Sequence, residues 1–134
     1  MVTASHNPPE YNGIKMVLRG KSLYGQDIQR LGNIAADGAF VSGMGVAARQ
    51  SVTDAYSDRL LTDAAFDRPL TVAWDPGNGS AGTVVRRVCD RLPGRQIIIN
   101  GDIDGTFPAH HPDPTVEKNL EQLKSVVAVE GCDF

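Results

Sequence analysis

A serine, a histidine and a lysine lie near the N-terminus as Ser5, His6 and Lys15. They sit in the stretch Thr3-Ala4-Ser5-His6-Asn7-Pro8-Pro9-Glu10-Tyr11-Asn12-Gly13-Ile14-Lys15. Proline fixes φ, while Asn and Gly tolerate left-handed backbone. Pro8, Pro9, Asn12 and Gly13 therefore predict an ordered loop rather than a helix or strand. A hydroxyl held in such a loop, with an imidazole beside it and an amine ten residues on, suits phosphoryl chemistry. The hydroxyl can carry a phosphoryl group, and cationic or donor groups can balance the charge that spreads over its oxygens. Ser next to His is equally at home in a capped turn, and on residue types alone that is the simpler reading.

Two further clusters invite chemistry. Gly77-Asn78-Gly79-Ser80-Ala81-Gly82 fits G-x-G-x-x-G, with Asp102 20 residues past Gly82, the outline of a dinucleotide-binding turn. Against it, Asp75-Pro76 intrudes before the first glycine, and the acidic residues sit in a long loop rather than at the tip of a second strand. The glycines are better read as allowing a tight turn and close strand–helix packing. His110 and His111 are adjacent, a poor spacing for two metal ligands from one loop, with no obvious third ligand beside them. They read as histidines that hold a long loop or line an interdomain face.

The elements that must position these residues follow from periodicity. Ile14–Leu18 is a strand-like run ending at Gly20, and Tyr24 to about Leu31 is predicted helical. Gly38 to Gly45 is a glycine-rich connector. Ser51 opens a helix with Asp54 in the capping-box position, and Val52, Tyr56 and Leu60 share one face. Arg68-Pro69 ends that segment, and the expected domains are 1–68 and 69–134.

From Leu70 the pattern is β-α-β-α. Leu70–Trp74 is a strand, with Trp74 in the core. The next helix puts Ala81, Val84, Val85, Val88, Cys89 and Leu92 on one face and Arg86, Arg87 and Asp90 opposite. Gln96–Ile99 is a continuous apolar strand of the kind found in parallel sheets. After a long loop, a last helix turns Val116, Leu120, Leu123 and Val127 inward, and Cys132-Asp133-Phe134 starts a third strand. The class is α/β, with a mixed or parallel sheet and flanking helices. The chain opens inside a loop and stops where a βαβαβ unit places its next strand, so we expect a piece of a larger protein.

Composition narrows the function classes. The 134 residues are 41% hydrophobic and 22% charged, with a net charge of −3. No basic stripe suggests nucleic acid as a partner, and no apolar run approaches the roughly 20 residues that span a bilayer. The N-terminus lacks the charged-then-apolar order of a signal peptide. Two cysteines, Cys89 and Cys132, make neither a disulfide scaffold nor a zinc site and read as packed thiols. The expected setting is cytoplasmic.

The literal strings add more. The Ser5 stretch closely resembles the active-serine signature of the α-D-phosphohexomutase superfamily, most of all its bacterial phosphomannomutase/phosphoglucomutase branch. Gly20-Lys21-Ser22-Leu23-Tyr24-Gly25, Asp75-Pro76-Gly77-Asn78-Gly79 and Asp104-Gly105-Thr106-Phe107-Pro108-Ala109-His110-His111-Pro112-Asp113-Pro114 are similar to that family in order and spacing. The resemblance implies a four-domain enzyme that moves phosphate between the 1 and 6 positions of a hexose. Residues 1–68 would be the end of its first domain and residues 69–134 the front of its second.

By the same resemblance Ser5 would be the phosphoserine, exchanging its phosphoryl group with mannose or glucose phosphate through a hexose 1,6-bisphosphate. Its phosphate would also be a ligand of Mg²⁺. His6 and Asn7 would shape the phosphate environment, and Lys15 would be a candidate acid/base. The family's metal loop, Asp-Gly-Asp-x-Asp-Arg, and its sugar-binding and phosphate-binding domains are absent from these residues, so the chain alone is expected to be inactive. A non-catalytic binding module built from a family subdomain is the alternative. Mannose, glucose and glucosamine phosphate remain open as substrates, as does the oligomeric state.

Overall fold

The computed structural model describes residues 1–4 and 6–134, and it divides into two compact units. One holds the first four residues and Tyr11–Gln50, the other His6–Glu10 and Ser51–Phe134.

The first unit is built on short backbone pairings. Val2 and Ile14 form an antiparallel bridge, flanked by hydrogen bonds from the Thr3 amide to the Gly13 carbonyl and from the Lys15 amide to the Met1 carbonyl, both 2.8 Å. The strand-like run predicted over Ile14–Leu18 shortens to β1, Val17–Leu18, which pairs with β2, Lys21–Ser22. Arg19 and Gly20 between them have φ of 51° and 79°, the left-handed pair that a two-residue hairpin loop requires. Two-residue strands carry too little alternation for a sequence pattern to reveal them, which is why β2 was not anticipated. Helix α1, Gln26–Ala36, runs a turn beyond the predicted span. It ends at Gly38, whose φ of 62° places a left-handed residue after the last turn. No helix or strand forms between α1 and residue 53, as the Gly38–Gly45 connector predicts.

The second unit opens with α2, Thr53–Leu61. The predicted capping box does not form: the N-cap is Val52 and no side chain caps the helix. Val52, Tyr56 and Leu60, which the sequence sets on one face, are 63, 53 and 48% exposed. The buried stripe instead runs through Ser57, whose hydroxyl donates to the Thr53 carbonyl at 2.9 Å. That small side chain sits where α2 packs on α3, Gly82–Cys89. Asp54 pairs with Arg87, and Asp58 with Arg91 at 2.6 Å. This helix pair meets through a small residue flanked by ion pairs rather than through an apolar stripe.

Strand β3, Leu70–Trp74, and β4, Gly94–Ile98, pair in parallel from Leu70↔Gly94 to Trp74↔Ile98, with α3 as the crossover. Helix α3 turns the predicted side inward: Val84, Val85 and Val88 are half-buried and Cys89 buried, while Arg86, Arg87 and Asp90 are exposed. The exception is Ala81, which is exposed just before the first turn. Gly94 has no substitute at the start of β4, because a Cβ there would lie 2.1 Å from the Leu70 carbonyl oxygen and its φ is +97°. Trp74 is half-buried and its indole N–H donates to Gln96 Oε1 at 2.8 Å.

After the long loop, a 3-10 turn over Glu117–Leu120 leads into α4, Glu121–Glu130, which packs against β3. Leu120, Leu123 and Val127 are half-buried, whereas Val116 precedes the helix and is exposed. Beyond α4 the chain returns to the free edge of β3. The Asp133 amide donates to the Thr71 carbonyl at 2.7 Å and the Ala73 amide to the Phe134 carbonyl at 2.9 Å, the beginning of the expected third strand. The Asp133 carboxylate also takes the Arg68 guanidinium at 2.5 Å and the Thr71 amide at 2.8 Å. The fold is α/β, with a parallel pair of strands and helices around it.

Candidate functional site

The serine loop is closed by backbone. Residues 1–3 and 13–15 form its base through the Val2–Ile14 bridge and the hydrogen bonds that flank it. A Cβ on Gly13 would fall 2.2 Å from the Thr3 carbonyl oxygen, so only glycine lets the two sides of the base meet. Ser5 itself lies outside the described residues. Lys15 is exposed, and its amide and carbonyl are both engaged with Met1 at the base.

His6 and Asn7 are exposed and belong to the second unit. His6 lies within electrostatic reach of Asp113. The Asp113 carboxyl accepts from the Thr115 hydroxyl at 2.7 Å and amide at 2.9 Å. Those bonds, with the charges of His6 and His111, hold it below the usual carboxylate range. Asp104 is held low in the same manner by the hydroxyl and amide of Thr106. Each is an Asp whose side chain bonds the residue two positions on, which fixes a turn.

A denser polar cluster lies beyond the carboxyl ends of β3 and β4, where open parallel sheets place their ligand crevices. Asp75 follows β3 directly, and its side chain is 4% exposed. One carboxylate oxygen, Oδ1, accepts from the Gly77 amide at 2.9 Å and the Asn100 amide group at 3.0 Å. The other lies 2.8 Å from His110 Nε2. His110 Nδ1 is 2.9 Å from the His111 carbonyl oxygen. The bond to that carbonyl, opposed by partial burial and reinforced by the hydrogen bond and charge of Asp75, raises the His110 pKa above its ordinary 6.5. Next to this pair, Asn78 has φ +58°. It bonds the loop after β4 three times: amide to Asn100 carbonyl at 2.8 Å, side chain to Asp102 carbonyl at 2.9 Å, and carbonyl from the Asp104 amide at 2.9 Å.

The glycines of the G-x-G-x-x-G string serve this arrangement. Gly77 has φ +56° and lies against the His110 ring, 3.2 Å from Cε1 to an ideal Cβ. A Cβ on Gly82 would meet the Gly101 carbonyl oxygen at 2.2 Å. The space at this third glycine is filled by protein backbone, where a dinucleotide fold would bring its helix close to its strand.

The predicted residues Ser5, His6, Asn7 and Lys15 were thus named from one contiguous string, whereas Asp75, Asn100 and the His110 pairing were missed. Asp75 and His110 are 35 residues apart, and no local period links them. The Asp-Pro-Gly turn after a strand was the available signal for Asp75. Among the described residues no group of three or more His, Cys, Asp or Glu side chains could hold a metal ion. Cys89 and Cys132 are free thiols, and burial pushes the Cys89 thiol up. No helix among the described residues is long and apolar enough to cross a membrane.

Comparison with known proteins covers both units. Residues 1–42 match the family described as phosphoglucomutase/phosphomannomutase, alpha/beta/alpha domain I, and residues 53–134 match its alpha/beta/alpha domain II. The chain is 36% identical over 134 residues to a phosphomannomutase/phosphoglucomutase of Pseudomonas aeruginosa, which aligns with all of this chain and 29% of that protein. It is 38% identical over 135 residues to a phosphoglucomutase of Neisseria gonorrhoeae, covering 99% of this chain and 29% of that one. A crystal structure of a phosphoglucomutase/phosphomannomutase family protein from Burkholderia thailandensis superposes with a TM-score of 0.90 at 41% identity, over 98% of this chain and 29% of the other. The chain therefore spans less than a third of the length of the relatives it matches.

Proposed function

The chain belongs to the phosphoglucomutase/phosphomannomutase family, and from that premise we propose that it forms part of a cytoplasmic isomerase interconverting hexose 1-phosphates and 6-phosphates with Ser5 as the phosphoryl carrier. The observation that carries this reading is the Thr3-Ala4-Ser5-His6-Asn7-Pro8 string lying inside the domain I match, with the domain II match following in order.

In the proposed cycle a sugar hydroxyl attacks the phosphorus on Ser5. The Ser5 Oγ–P bond breaks as the sugar O–P bond forms, and the hydroxyl proton passes to a base, for which Lys15 is the candidate. The resulting hexose 1,6-bisphosphate returns its other phosphoryl group to Ser5, regenerating the carrier and leaving phosphate at the other position. His6 and Asn7 direct donors at the phosphoryl oxygens, where charge develops. The substrate is mannose or glucose phosphate.

When bound, Mg²⁺ would neutralise charge on the transferring group, with the Ser5 phosphate as one ligand. The described residues do not themselves make a site that fits it. The decisive experiment uses the full-length protein and labelled hexose 1,6-bisphosphate. Native protein should retain acid-stable label and Ser5→Ala none; label persisting in that variant would show that Ser5 is not the acceptor. The 134-residue chain alone is expected to give no turnover with Mg²⁺ and bisphosphate. Conversion of mannose 1-phosphate to the 6-phosphate would overturn that.

A further inference from the structure

We propose that Asp113 is a positioning residue for His6, presented by the loop that His110 fastens to Asp75. The proposal rests on the reaction assigned above to Ser5, because His6 is the immediate neighbour of that serine. The backbone bonds at residues 1–3 and 13–15 close the base of the serine loop, and none of them reaches residues 6–10. Those five residues group with the second unit, although the chain on either side of them groups with the first. What orients His6 is therefore sought in the second unit.

The loop over residues 110–115 is fixed at three points. His110 Nε2 lies 2.8 Å from the Asp75 carboxylate, and its ring packs on Gly77. The Asp113 carbonyl accepts from the Asn119 side chain at 2.7 Å, just ahead of α4. The Asp113 carboxylate closes its own turn, with Oδ1 accepting from the Thr115 amide at 2.9 Å and hydroxyl at 2.7 Å. Because both Thr115 donors go to Oδ1, Oδ2 is the oxygen left outside the turn. An imidazole N–H can donate to such an oxygen whether the ring is neutral or charged. His6 lies close enough for its charge to act on this carboxyl, as does His111, whose Nδ1 faces the Asp113 amide at 3.3 Å.

A carboxylate on a fixed turn can orient an imidazole without touching the substrate. Holding one ring nitrogen sets the tautomer and the ring plane, so the other nitrogen is presented in one direction. For His6 that second nitrogen is the group assigned to the phosphoryl oxygens of Ser5. Asp104 supplies a matched comparison in the same long loop. It makes the same turn with the amide and hydroxyl of Thr106, and the pull that lowers its carboxyl comes from Thr106 alone.

The test sets Asp113→Asn beside Asp104→Asn. Asparagine keeps the Oδ1 acceptor, so each turn survives while its charge is removed. In the full-length protein Asp113→Asn should lower kcat by about two- to fivefold, the scale of a solvent-exposed charge pair, with KM unchanged. Asp104→Asn should do neither. In the 134-residue chain, long-range proton–nitrogen correlation should show the His6 ring signals moving in Asp113→Asn and staying in place in Asp104→Asn. An unchanged kcat in Asp113→Asn, an equal loss in Asp104→Asn, or stationary His6 signals would each overturn the proposal. If native protein took up no label at Ser5, the assigned reaction would fall, and the His6 signals would still decide whether Asp113 holds that ring.

Discussion

Two regions of the chain hold their loops by opposite means. Around Ser5 the chain is closed by main-chain hydrogen bonds at the base, and its large apolar neighbours Val2, Tyr11 and Ile14 are 78, 57 and 67% exposed. In the second unit, loops of comparable irregularity are tied by side chains: Asp75, Asn78, Asn100, His110 and Asp113 each bond backbone or one another. Backbone closure depends on main-chain groups that most residues supply, while side-chain closure depends on the identity of each residue.

Substitutions can break or sharpen this contrast. The largest effect is expected for Gly94→Ala, which puts a Cβ against the Leu70 carbonyl at a positive φ. It should cost roughly 3 kcal/mol or more and be read as loss of amide protection throughout β3 and β4. Protection surviving there would mean that the strand pair does not depend on that close approach. Gly13→Ala should cost about 1–3 kcal/mol by crowding alone. It should expose the Thr3 and Lys15 amides to exchange while leaving β3 and β4 protected. If both regions lost protection together, the two loops would not be held independently.

Asn100→Ala removes one of three donors to Asp75 along with its bond to Gln122. A destabilisation of about 1–3 kcal/mol in denaturant unfolding is expected, and no change would argue against side-chain closure. Asp58→Asn breaks a half-exposed ion pair with Arg91 and should cost no more than about 1 kcal/mol, shrinking with added salt. The smallest effects belong to acid. Asp104, Asp113 and Asp133 all have depressed carboxyl pKa values. Their contribution is present above 3.8 and fades as pH falls through the lower folded values, so only strong acid, below 3.8, should loosen the second unit's turns, with the backbone closure at Gly13 unaffected.

The sequence pattern revealed most where periodicity was long. Leu70–Trp74, the Val84–Cys89 face and the inward Leu120, Leu123 and Val127 could be seen because burial repeats along them with the period of their element. Helix α2 was legible, but its contact with α3 is made by Ser57 and by Asp–Arg pairs, while the apolar residues at four-residue spacing are exposed. The Ser51–Asp54 cap failed for a related reason: the helix begins two residues later, at Thr53. At the candidate site, the Ser5 string was legible as a contiguous motif, whereas the Asp75–Asn100–His110 knot joins three loops distant in sequence. Only folding brings those side chains together.

Arg68 and Asp133 are 65 residues apart in the chain, while the β3–β4 pairing spans 24, from Leu70 to Gly94. Closing the larger loop carries the greater chain-entropy cost, which is repaid only once the intervening elements are in place. Assembly of the second unit should therefore run outward: the β3–α3–β4 crossover unit first, α4 next, and the ion pair that fastens Asp133 to the far edge of β3 last. In a ribosome-bound chain, that edge would stay open until Asp133 had emerged from the exit tunnel, and protection of the Ala73 amide would report the moment of closure.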